Sequence, residues 1–162
     1  MIGASSHIMQ KSPLLFIFIT LLCSHLGFAA DTRHTPKPGS SERRAICDGA
    51  RAFVMKNYVN PKKLPQSLVF KIERIEVMGR YCSFEAIPKF KDGSTMGTDY
   101  VMDIVFELCM ERTNDTWNVV YDLSSTDVPS DPQLKVMWRA FPKEFPIVLM
   151  PKFWRDHFNR IK

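Results

Sequence analysis

The segment LVFKIERIEVMGRYCSFEA, residues 68–86, contains two apolar alternations that differ in phase. Every second residue from Leu68 to Ile72 is apolar, and the alternation resumes in the opposite phase at Ile75. Because side chains along a strand alternate between the two faces of a sheet, the slip of one residue indicates a β-bulge. Gly79 then predicts a turn into a second strand, so the segment predicts an antiparallel hairpin.

Two further strands follow the hairpin. Every second residue from Tyr100 to Met110 is apolar without interruption, which predicts a third strand. A tight turn is expected at Asn114-Asp115, and the alternation over residues 117–123 predicts a returning fourth strand. The connections are short enough for a four-stranded antiparallel meander.

Helical patterns lie on both sides of these strands. Ser40-Ser41-Glu42 supplies an N-cap for a helix that ends near Asn60-Pro61, and Asp131-Pro132 begins a shorter helix. The order predicts an α+β domain in which an N-terminal helix packs on the meander and a short helical C-terminal tail follows. By analogy the layout is cystatin-like or nuclear-transport-factor-like.

The first thirty residues predict an export signal that is removed. Lys11 precedes an apolar run at residues 14–22, and small residues end the segment at Ala29-Ala30. The run is too short to span a bilayer. We expect residues 1–30 to be a cleaved signal peptide and the protein to be periplasmic, with a lipoprotein at Cys23 or a retained anchor as alternatives.

The remaining chain predicts one domain with flanking segments. We expect a flexible lead at residues 31–40, a single α+β domain at 41–146 and a basic-aromatic C-terminal tail at 147–162. Loss of Lys11 lowers the formal net charge from +5 to +4. With 45% hydrophobic residues the chain can bury a core, which excludes wholesale disorder.

Several segments together resemble a poorly characterised family of small exported bacterial proteins. They are RAICDGAR at 44–51, VMGRY at 77–81, Pro88 with Asp92-Gly93, TDV at 126–128 and PKEFP at 142–146. The resemblance covers residues 42–146 and implies one helix on an antiparallel sheet, no established enzymatic activity and no catalytic residues. The chain departs from the family at Cys47, at Cys82 and in the extra segment after Pro146.

Cys47, Cys82 and Cys109 remain after processing, an odd number for an oxidising compartment. If Ile87 lies near Tyr100, Cys82 and Cys109 are offset by four positions, more than about 10 Å. Cys47 on the helix and Cys82 on the apolar face of the sheet could meet across the core, so a disulfide between them is favoured, with no bridge as the main alternative. Apolar strands raise a thiol's pKa, so a reactive nucleophile is not expected.

The sequence predicts no enzymatic activity, no cofactor and no metal. His34 and His157 are the only histidines after processing, and both lie in terminal segments unsuited to a catalytic triad. Three carboxylate pairs are present, which we interpret as solvated positions: Asp99 with Asp103, Glu107 with Glu111, and Asp122 with Asp127. No glycine-rich phosphate loop joins a strand to a helix.

The C-terminal part mixes aromatic with basic residues, which indicates a surface for an acidic protein partner or for an anionic envelope surface. The candidate partner-binding residues are Trp138, Arg139, Trp154, Arg155, Lys91 and Asp92. The alternative is that the aromatic rings close the core while the charges are solvated. Export argues against nucleic acid as the partner, and no stable membrane anchor is expected; the oligomeric state stays open.

The leading hypothesis is a non-enzymatic periplasmic protein-binding domain, most concretely an inhibitor or immunity protein against an envelope-targeted toxin or hydrolase. The alternative is a carrier of a small apolar ligand, which predicts an open cavity lined by Phe84, Met102 and Phe106. The two hypotheses differ in whether the space beneath the first helix is filled.

Overall fold

Four antiparallel strands form a meander whose order in the sheet is their order in the chain. They are β1 (Leu68–Met78), β2 (Tyr81–Phe90), β3 (Phe106–Thr113) and β4 (Thr116–Asp122), in a computed structural model that describes residues 32–58, 68–91, 105–124 and 128–161. The predicted bulge is confirmed, because the β1–β2 register shifts between Ile72 and Arg74. The α+β class is confirmed as well, whereas the cystatin-like or nuclear-transport-factor-like layout stays a prediction.

Helix α1 (Ser41–Asn57) covers one face of the sheet, as predicted. Ser40 is the N-cap, and its Oγ accepts a hydrogen bond from the amide of Arg43 at 3.2 Å. The helix lies so close to β4 that a Cβ at Gly49 would overlap the carbonyl oxygen of Trp117. A residue without a side chain is therefore required at this crossing.

The opposite face of the sheet is covered by the C-terminal layer. We give this name to α2 (Asp131–Ala140), a 3-10 turn (Ile147–Leu149) and α3 (Lys152–Ile161). Their buried side chains form a second core with the sheet: Leu134, Phe141, Phe145, Leu149, Met150, Trp154 and Phe158. The described part of the segment that the sequence set apart as a tail therefore contributes to the core.

The segment before α1, for which the sequence predicts a flexible lead, is bonded to β1. The amide of His34 donates to the carbonyl oxygen of Val77 at 2.9 Å, and the amide of Val77 donates to the carbonyl oxygen of His34 at 2.8 Å. Arg33 adds an ion pair with Glu76. His34 therefore forms an isolated bridge on the outer side of β1.

The register between β2 and β3 corrects the expected placement of the cysteines. Ser83 pairs with Cys109, and Cys82 pairs with Met110, so the expectation that four positions separate Cys82 from Cys109 is wrong. Adjacent positions in paired strands point to opposite faces. Cys82 therefore lies in the core beneath α1, whereas Cys109 lies beneath the C-terminal layer.

Candidate functional site

Trp154, expected from the sequence to contact a partner, lies in the core beneath α3. Its side chain is 1% exposed, and its ring centroid is 6.0 Å from that of Phe158. Its indole Nε1 donates a hydrogen bond to the carboxylate of Glu107 on β3. The structure thus gives Trp154 the role in the alternative interpretation, in which the aromatic rings close the core.

Trp138 also belongs to the C-terminal layer. Its ring is stacked on Phe141, with an interplanar angle of 7°, and its centroid is 5.3 Å from that of Phe158. The ammonium of Lys143 lies 5.2 Å from the centre of the same ring. The indole is half-buried, so only part of it reaches the surface of the layer.

The charged candidates lie at the surface on different elements. Arg139 on α2 is exposed. Arg155 on α3 is half-buried, and its Nη1 donates a hydrogen bond to the carbonyl oxygen of Val148 at 3.3 Å. Lys91 is exposed directly after β2, and Asp92 lies outside the described residues. The structure thus places Arg139 and Arg155 in one layer but Lys91 at the end of a strand.

Phe153 is the aromatic side chain that α3 presents to solvent. Its side chain is 41% exposed, and its ring lies against the imidazole of His157 with a centroid distance of 4.1 Å. Helical spacing places Phe153, His157 and Arg160 on one flank of α3, which we call the α3 ridge. Arg160 pairs with Asp131 of α2 at 2.7 Å, so this flank adjoins α2.

The sequence interpretation did not single out Phe153 as a binding residue, although the signal was present. Trp154 and Phe158 are spaced by one helical turn, and Phe153 and His157 repeat the same spacing one residue earlier. Either pair could have faced the core. The structure buries the pair that contains the larger ring and leaves the other pair at the surface.

Glu107 is half-buried on β3, so its interpretation as part of a solvated face is wrong. Its carboxylate accepts from Trp154 and lies opposite Glu85 of β2. Burial raises the pKa of the Glu107 carboxyl, although the Trp154 donor opposes the rise. Its expected counterpart Glu111 is instead paired with Arg80 at 3.0 Å.

Arg74, at the bulge of β1, links Glu85, the neighbour of Glu107, to the C-terminal layer. Its guanidinium nitrogens donate to Glu85 at 3.2 Å, to Glu76 at 2.7 Å and to Ser83 Oγ at 2.7 Å. The same group donates to the carbonyl oxygen of Leu149 at 3.0 Å. Each guanidinium nitrogen of Arg74 has a partner within the protein. We therefore interpret the cluster as a set of contacts that stabilise the fold rather than as a substrate site.

All three cysteines of the described chain are free thiols, and the structure contains no Cys47–Cys82 disulfide. The side chains of Cys82 and Cys109 are at most 1% exposed, and burial raises the pKa of both thiols. Cys47 is half-buried, and burial raises its pKa too. None of these thiols has the lowered pKa that a nucleophile requires.

Within the ranges that the structure describes, no three His, Cys, Asp or Glu side chains converge as a metal site requires. No helix in that part of the chain is long and apolar enough to cross a bilayer. Comparison with known proteins adds no relative: no family model, curated protein or solved structure matches the chain.

Proposed function

We propose that the protein is a non-enzymatic, periplasmic protein-binding domain that docks on an envelope protein through the α3 ridge. The most concrete form is an inhibitor or immunity protein against an envelope-targeted toxin or hydrolase. The observation that carries the proposal is the exposure of Phe153, at 41%, beside Trp154, which is buried. Exposed aromatic side chains are enriched where proteins bind one another.

The surroundings of Phe153 suit an interface. His157 packs against the ring and limits its rotamers, so that less conformational entropy is lost on binding. Lys152 and Arg160 are exposed cations on the same helix, each paired with one carboxylate, Asp156 and Asp131 respectively. An aromatic anchor with a charged rim is the common arrangement of a protein interface.

The positions that could carry acid–base or nucleophilic chemistry support a role without catalysis. The guanidinium of Arg74 bonds to partners within the protein, and the thiols of Cys82 and Cys109 are buried. The Glu107 carboxylate is bound by Trp154 on one side and lies beneath the C-terminal layer. These groups stabilise the fold, and we assign no turnover to them.

The packing beneath α1 favours protein binding over the carriage of an apolar ligand. The rings of Phe84 and Phe106, expected to line a carrier's cavity, are fully buried. Phe84 contacts Phe70 edge to face at 5.2 Å, and Phe106 contacts Tyr58 in the same way at 4.9 Å. The third expected lining residue, Met102, lies outside the described residues.

The test is affinity capture from a periplasmic extract with the processed protein and two variants. Phe153→Ser removes the proposed anchor, and Val136→Ser is the matched control because Val136 is 64% exposed on α2. We expect one stoichiometric protein on the wild type and on Val136→Ser, and its loss with Phe153→Ser. Equal capture by all three, or capture of a small apolar molecule instead, would contradict the proposal.

A further inference from the structure

A recess of about 360 Å³ lies on the outer face of α1 and is lined by basic side chains. Arg43, Cys47 and Arg51 follow one another at intervals of four residues, which places them in one row along the helix. Arg44 and Asp48 form the neighbouring row and complete the lining on this helix. Three guanidinium groups therefore border one concave surface around a half-buried thiol.

Backbone carbonyl groups hold the three arginines in place. The bonds run from Arg43 Nη1 to Pro36 at 3.1 Å, from Arg44 Nη1 to Gly39 at 2.6 Å, and from Arg51 Nε to Leu68 at 2.7 Å. A carbonyl oxygen is neutral, so these bonds fix each guanidinium without cancelling its charge. The donors of the recess are thus positioned before any ligand arrives.

The charge of the recess is positive. Asp48 is the one acid in its lining, and it pairs with Arg51, which leaves a formal charge of +2 for the five side chains. Arg43 and Arg51 are half-buried, so solvent screens their charges less than it screens those of fully exposed residues. The recess should therefore attract an anion more strongly than scattered surface arginines do.

We propose that this recess binds a small anion bearing a phosphate or carboxylate group. Guanidinium groups form paired, charge-assisted hydrogen bonds with both kinds of oxyanion. The volume lies within the range of small-molecule sites. Because α1 and the C-terminal layer cover opposite faces of the sheet, this site is separate from the α3 ridge and does not depend on the proposed function.

Cys47 serves as the reporter of the test, since its thiol lies within the recess. The rate of its alkylation by anionic iodoacetate is divided by its rate with neutral iodoacetamide, and peptide mass spectrometry restricts the readout to this residue. Thiol pKa affects both reagents alike, so the ratio isolates attraction of the anion. We expect a ratio about tenfold above that of the neutral thiol N-acetylcysteine amide, the lower end of electrostatic steering, and its decline in about 1 M salt.

Variants identify the side chains that produce the effect. Arg43→Gln and Arg44→Gln should each lower the ratio, whereas Arg139→Gln, on the far side of the sheet, should leave it unchanged. Arg44 is exposed, so its variant remains informative if Arg43→Gln unfolds, which a thermal melt detects.

Protection experiments then distinguish the two ligand chemistries. Inorganic phosphate and malonate are compared as competitors that slow alkylation of Cys47 at equal ionic strength. Stronger protection by phosphate identifies a phosphate-bearing ligand, and stronger protection by malonate identifies a carboxylate. A ratio equal to that of N-acetylcysteine amide, or no protection by either anion, would overturn the proposal.

Discussion

Trp154→Ala removes the largest side chain buried between α3 and the sheet. Truncating a buried tryptophan costs about 3–5 kcal/mol, because the transfer and cavity terms add. The substitution also removes the donor to Glu107, and an unsatisfied, half-buried acceptor adds about 1–3 kcal/mol. The lower ends of the two ranges together give a loss of about 4 kcal/mol, a large part of the stability of a small domain.

Urea unfolding followed by far-UV circular dichroism measures this loss. At about 4 °C per kcal/mol, a thermal melt should show a midpoint lowered by about 16 °C. Phe153→Ala is the control on the same helix, and its partly exposed ring should cost less than about 1 kcal/mol. Equal losses for the two variants would refute the docking of α3 on the sheet.

Two further predictions concern other tightly packed positions. Burial raises the pKa of the Glu107 carboxyl above its ordinary value of 4.5, so the contribution of this group to stability falls as pH rises from that value through the folded-state pKa. Glu107→Gln keeps an acceptor for Trp154 and does not titrate, so the stability of this variant relative to wild type should grow across that interval. Urea midpoints of the two proteins, measured from about pH 4 to about pH 8, test this. A difference between the two midpoints that stays constant with pH would contradict the prediction. Gly49→Ala should lose about 1–3 kcal/mol, because the new methyl group overlaps the carbonyl of Trp117; a gain, which helix propensity alone would give, would refute the close crossing.

Local sequence signals predicted the elements well where one physical cause dominates. The slip between Ile72 and Ile75 is visible because the alternation of apolar residues changes phase there, and the structure has its bulge at this point. The hydroxyl oxygen of Ser40 accepts a hydrogen bond from a free amide of the first helical turn, and α1 begins at Ser41. Both features depend on a few consecutive residues, which a sequence displays directly.

The register of β2 with β3 could not be predicted, because apolar alternation within each strand does not determine which of their positions pair. The sequence-based interpretation placed Ile87 near Tyr100, whereas the structure pairs Ala86 with Phe106. That difference moves Cys109 from a distant position to one opposite Ser83. Strand alternation alone fixes which side chains share a face, not which strand positions meet.

A second bulge was concealed because both faces of the sheet are covered. The alternation from Trp117 to Leu123 is unbroken and predicts a regular returning strand. In the structure the β3–β4 register shifts between Cys109 and Met110, so Trp117 lies beneath α1 while Leu123 lies beneath the C-terminal layer. An apolar residue suits either side, and the sequence pattern therefore conceals the switch.

The surface that we propose for binding lies in the region that the sequence composition singled out, but Phe153 was not among the residues named from the sequence. The basic-aromatic composition drew attention to residues 147–162, where α3 lies. The choice between Trp154 and Phe153 depends on which flank of α3 meets the sheet, and that is decided by packing against distant residues such as Glu107. Deletion of this segment would remove buried side chains, so point substitutions are the appropriate tests.

The measurement that tests the proposed function most directly is calorimetric titration of the captured partner into wild type, Phe153→Ser and Val136→Ser. The account predicts a Kd raised at least about tenfold by Phe153→Ser, equivalent to about 1.4 kcal/mol, and a Kd unchanged by Val136→Ser. Thermal midpoints of the three proteins should agree within about 4 °C, because each of the exposed side chains contributes less than about 1 kcal/mol to stability. The same Kd for all three proteins would contradict docking through the α3 ridge.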